Sequence, residues 1–100
     1  MSQITVFDVA KYILEKQGSM SAMKLQKLIY YSQAWSLVWD DRPLFNNRIE
    51  AWANGPVVRE LYDVHRGKFQ VSHEDFSYYS KQELTPEQKK NVNAVIEAYG

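Results

Sequence analysis

One hundred residues carrying 12 basic and 12 acidic side chains have a formal net charge of zero, so no long-range field draws the chain toward DNA, RNA or an anionic membrane. The absence of cysteine excludes disulfides, thiolate nucleophiles and cysteine-ligated zinc or iron–sulfur centres. At 45% hydrophobic residues, with three Trp, seven Tyr and four Phe, the length fits a single domain over residues 1–100 with one modest, aromatic-rich core.

The N-terminal MSQITVFDVAKYI lacks the basic-then-apolar order of a signal peptide. No apolar run approaches the ~18 residues of a membrane span, and a cytoplasmic location is the expectation. Val6, Val9, Ala10, Ile13 and Leu14 recur at the spacing of an amphipathic helix. Thr5 and Asp8 can form a short capping box, and Gly18 can end the helix, which is expected over 6–17. Ser21 is a suitable N-cap for a second helix from Ala22 to Trp39. That helix is apolar nearly all round, the pattern of a helix buried in the middle of a domain. Gln26 and Gln33 share a narrow polar line along it, and Lys24 and Lys27 mark a wetter first turn.

Asp40-Asp41-Arg42-Pro43 stops the second helix. Leu44-Phe45 and Ile49–Trp52 then read as two short strands around Asn46-Asn47. Asn54-Gly55-Pro56 is expected to open a third helix, with proline at its first position. Its inner stripe would be Val58, Leu61, Tyr62 and His65, and Gly67 would close it. Residues 67–84 read as a polar loop pinned by Phe69, Val71, Phe76, Tyr78 and Tyr79. Thr85-Pro86-Glu87-Gln88 is a second capping box, opening a helix with Val92, Val95, Ile96 and Tyr99 inward and Gly100 at its stop. The expected fold class is mainly α: about four helices around a central buried helix, with one short β-hairpin. Ending at a helix stop, the chain reads as truncated at its C-terminus.

Chemistry is sparse in this pattern. His65 and His73 are the only histidines, and their separation matches no standard metal-ligand spacing. The glycines fall at helix ends rather than in a phosphate-cradling cluster. No nucleophile, base and orienting acid stand in a recognisable arrangement. The expectation is a non-enzyme with no catalytic, cofactor-binding or metal-binding residues. A helix, a turn, a second helix and a hairpin also suggest a winged-helix DNA binder. Against it, the would-be reading helix carries Leu25, Leu28, Ile29 and Tyr30 where a groove reader exposes polar groups. A protein-binding module remains. Lys24, Lys27, Arg42, Arg59 and Arg66 are its candidate contacts because they flank an aromatic body.

The ordered segments KLQKLIYYSQAW (24–35), RPLF (42–45), EAW (50–52) and NGPVVRELY (54–62) resemble the Panacea domain, the SocA-like and GepA-like family of bacteria, phages and mobile elements. Leu25, Lys27, Leu28, Tyr30 and Tyr31 sit at that family's Leu-x-Lys-Leu-x-Tyr-Tyr pattern. Trp52, Gly55, Pro56 and Val57 sit at its Trp followed by Gly-Pro-Val. With Trp35, these mark Leu25, Leu28, Tyr30, Trp52, Gly55 and Pro56 as scaffold residues. The likeness covers residues 5–70. Asp41 departs from it, since a Gly often precedes the hairpin there. The resemblance implies a mostly helical antitoxin that neutralises a toxin, encoded beside it, by direct protein–protein binding. It also implies association with prophages and mobile elements. Alternatives are an autoregulatory winged-helix DNA-binding protein and a proteolytic adaptor delivering a toxin to a protease. A homodimer is left open.

Overall fold

A computed structural model describes residues 3–100. Its helices are α1 (Val6–Gln17), α2 (Ala22–Asp40), α3 (Arg59–His65), α4 (Glu74–Ser77) and α5 (Pro86–Tyr99). Its strands are β1 (Met20–Ser21), β2 (Ile49–Trp52), β3 (Gly55–Val58) and β4 (Gln70–Val71). The class is mainly α, as expected. α4 is a single turn inside the segment read as a loop, where Phe76 is fully buried and anchors it.

α2 is the central element, and α1, α5 and the hairpin lie against it. Ala22, Leu25, Leu28 and Ile29 are its buried apolar side chains, meeting Val9, Ile13, Leu61, Val92 and Val95 in one core. α5 runs antiparallel to α2. The Asn91 amide donates to Asp40 at one end, and the Trp35 indole donates to the Tyr99 hydroxyl at the other, 3.2 Å away. At the start of α5 the capping box forms as expected: Gln88 N–H donates to Thr85 Oγ1 and Thr85 N–H to Gln88 Oε1.

The hairpin forms one step later in the chain than its sequence suggests. β2 pairs with β3 in antiparallel register, Ile49 opposite Val58 and Trp52 opposite Gly55. Leu44 and Phe45 are not a strand, although both are buried. Gly55 and Pro56 therefore lie in β3 rather than at a helix start, and α3 begins at Arg59.

A proline is tolerated here for a reason visible in the hydrogen bonds. Alternate residues of an antiparallel strand point their N–H and C=O to opposite sides. Those of Val58 go to Gln26 on α2, away from β2. Pro56, two residues earlier, has the same orientation, where its missing N–H removes no ladder bond. The turn's positive φ, +121°, falls on Gly55. A second antiparallel pair joins β1 to β4, with Met20 opposite Val71.

Candidate protein-interaction site

Two glutamines of α2 place the loops around it. Gln26 is 1% exposed. Its Oε1 accepts Val58 N–H at 3.0 Å, its Nε2 donates to Val58 C=O at 3.3 Å, and the same Nε2 lies 3.1 Å from His65 Nε2. The side-chain amide thus serves β3 as a third strand would. Two turns on, Gln33 Oε1 accepts Leu44 and Phe45 N–H at 2.7 and 3.2 Å, and its Nε2 donates to Phe45 C=O at 2.8 Å. The polar line read along α2 is therefore an inward one. It fixes the 44–45 segment and the hairpin rather than facing solvent or a DNA groove.

Because both hydrogens of a primary amide are donors, Gln26 Nε2 can serve Val58 and His65 together only if His65 Nε2 accepts. His65 is then neutral, with its proton on Nδ1. Burial holds its pKa below the usual imidazole value, opposed in part by a hydrogen bond to its own backbone.

Above this anchor is an aromatic–arginine cluster. Trp52 and Tyr62 meet edge to face at 4.7 Å, and Tyr62 meets His65 in the same way at 5.4 Å. Glu50 and Trp52 lie on one face of β2, where the indole N–H donates to Glu50 Oε1 at 2.9 Å. Arg59 lies over the Trp52 ring at 5.8 Å and reaches Glu50 at 3.9 Å and Asp63 at 3.4 Å. Half-buried Trp and Tyr beside an exposed Arg are the residue types that anchor protein interfaces.

All five basic candidates are exposed, but they do not share one element. Arg59 and Arg66 bracket α3, Lys24 and Lys27 lie on α2, and Arg42 lies in the turn after it. Arg59 is the one tied into the aromatic cluster. Of the scaffold residues, Leu25 and Leu28 are in the core, Trp35 and Trp52 are half-buried, and Tyr30 is exposed. α2 is not buried all round: Leu37, Val38 and Trp39 are 49%, 69% and 47% exposed.

Asp8 does more than cap α1. Its Oδ2 accepts Thr5 N–H at 2.8 Å, and its Oδ1 accepts from Ser80 Oγ, Lys81 N and Gln82 N at 2.8–3.0 Å. Burial pushes its pKa up, but these hydrogen bonds outweigh burial and hold it below the usual carboxylate value. The bonds occupy the lone pairs a general base would use. Among the described residues no group of three His, Cys, Asp or Glu could hold a metal ion, and no helix is long and apolar enough to cross a membrane.

The family described as "Antitoxin SocA-like, Panacea domain" matches residues 25–100. That range starts later than the likeness read from the motifs and continues through α5. Antitoxin SocA of Caulobacter vibrioides (strain NA1000 / CB15N) is 40% identical over 58 residues, 54% of this chain and 31% of that protein. The chain thus matches about a third of its relative's length. No solved structure matches.

Proposed function

The chain belongs to the SocA-like, Panacea-domain antitoxin family, and from that membership we propose that it neutralises a toxin by direct protein–protein binding. The family match across α2, the hairpin and α3–α5 is the observation that carries this reading. The hairpin–α3 surface supplies suitable contacts: Trp52 and Tyr62 as aromatic anchors, with Arg59 and Arg66 as the cationic groups at the ends of α3. Neutralisation by occlusion requires a complementary surface and no catalytic group. The winged-helix alternative loses support from the inward direction of Gln26 and Gln33, which removes polar groups that a reading helix would need.

The test is co-expression with the protein encoded by the adjacent open reading frame. Growth is expected to be arrested by that protein alone and restored by this chain. Arg59→Glu should lose the rescue while keeping its helical circular dichroism, since Arg59 is exposed and its ion pairs are worth under about 1 kcal/mol to the fold. Failure of the wild-type chain to restore growth refutes the reading. A fully active Arg59→Glu moves the contact away from α3. Rescue that disappears in a protease-deficient host would point to delivery of the toxin for degradation.

A further inference from the structure

α2 has a second apolar face that no element covers among the described residues. Met23, Lys27, Tyr30, Ala34, Leu37 and Val38 recur at three- and four-residue spacings and line the side opposite Leu25, Ile29 and Ser32, and Asp41 follows at the end of the stripe as the left-handed C-cap. Tyr30, Leu37 and Val38 are exposed, and the small Ala34 lies between them. The charges at the two ends of this stripe are unusual. Helices favour acidic residues at the N-terminus and basic ones at the C-terminus. α2 has no acidic residue in its first turn and no basic residue in its last, and instead carries Lys24 and Lys27 early and Asp40 and Asp41 late. Asp40 is directed to Asn91 on α5. Among the described residues, neither Lys27 nor Asp41 is in an ion pair.

The stripe is self-complementary. Lys27 lies seven residues before Ala34 and Asp41 seven after it. We infer that this face is a homodimer interface, with two α2 helices packed antiparallel about a two-fold axis beside Ala34. Reversal of the second helix sets Lys27 of each protomer beside Asp41 of the other, and Tyr30 beside Leu37 and Val38. Ala34 meets its own copy, where a small side chain allows close approach. Opposed helix directions also bring the Asp41 end of one α2 against the Lys27 end of the next, so the charges that work against each helix's own dipole compensate one another across the pair. A two-fold interface must use the same patch on both subunits, and this stripe meets that condition in both its apolar and its charged residues. Stable interfaces bury about 1,200–2,000 Å² in total. One helix face falls at the small end, so association is expected in the micromolar range. The surface is separate from Trp52, Arg59 and Tyr62, and the inference does not rest on toxin binding.

Sedimentation velocity on the full chain, from about 1 to 200 µM, tests it. The mass should rise from 11.7 kDa toward twice that value, more weakly at high salt. Lys27→Glu and Asp41→Lys should each weaken association about 10-fold or more by setting like charges together, and the double variant should restore it to within about threefold. Ala34→Glu, compatible with a helix and placed on the axis, should abolish the dimer while keeping the helical circular dichroism of the wild-type chain. It provides the answer if Asp41→Lys disturbs the C-cap. A wild-type chain that stays monomeric over the range overturns the inference. So does a charge swap that restores nothing between well-folded variants, or an Ala34→Glu dimer as tight as wild type.

Discussion

Replacing Gln26 by leucine tests how the hairpin is held to the body of the protein. Leucine is close to glutamine in volume, so the cavity term is small. The side chain is 1% exposed, so the groups it serves have little access to solvent. Val58 N–H, Val58 C=O and His65 Nε2 are left facing hydrocarbon in place of partners at 3.0, 3.3 and 3.1 Å. Each buried group stranded in this way costs about 1–3 kcal/mol, the donor most reliably. Leucine returns roughly 1–2 kcal/mol through apolar burial. The net loss falls within about 1–8 kcal/mol, with a middle value of about 4, a large share of the ~5–15 kcal/mol that holds a small domain together. Urea unfolding followed by circular dichroism and Trp fluorescence would measure it, and melting should drop by more than about 10 °C. A loss below about 1 kcal/mol would refute the claim that this amide acts as the third strand of the hairpin.

The same site predicts a pH dependence. His65 has a lowered pKa in the folded protein. Above the unfolded value of about 6.5 both states are neutral and the group has no effect. As pH falls below it the unfolded chain binds the proton first, so stability declines by up to about 1.4 kcal/mol per unit until the folded pKa is reached. Urea midpoints taken between pH 7.5 and 5 should show this decline, and His65→Leu should flatten it. Asp8→Asn sets an amide N–H₂ among donors from Thr5, Ser80, Lys81 and Gln82. At pH 7 it should cost about 2–4 kcal/mol and speed hydrogen exchange at Lys81 and Gln82. The stabilisation Asp8 gives is present above its unfolded pKa near 3.8 and is lost as pH falls through the lower folded value. Gly55→Ala should cost about 1–2 kcal/mol in thermal melts. The cause is the +121° φ, since no atom lies within 4 Å of an added Cβ.

The helices were legible because their signals are local. Apolar spacing and capping residues place α1, α2 and α5 within a residue of their observed ends. The hairpin was displaced because Pro56 has two local readings, a helix start or an outward-facing strand residue, and only the Gln26–Val58 bonds decide between them. Those bonds join residues 32 positions apart, beyond the reach of any window of periodicity. Gln26 and Gln33 read as a narrow polar line, but not as an inward one, because a glutamine's partners are invisible in sequence. Their spacing on an otherwise apolar helix was the available clue. Asp8 was recognised as a cap, while its three bonds to residues 80–82 depend on how the loop returns. The apolar surround of α2 reads as burial. Its outer half, at Leu37 and Val38, is instead a surface.

Direct binding is the central claim, and calorimetric titration of this chain into the purified product of the adjacent open reading frame tests it most directly. The account predicts a saturable complex of fixed stoichiometry with a negative heat-capacity change from buried apolar surface, weakened by at least about 10-fold in Arg59→Glu. Growth rescue in cells without any measurable complex between the two purified proteins would contradict it.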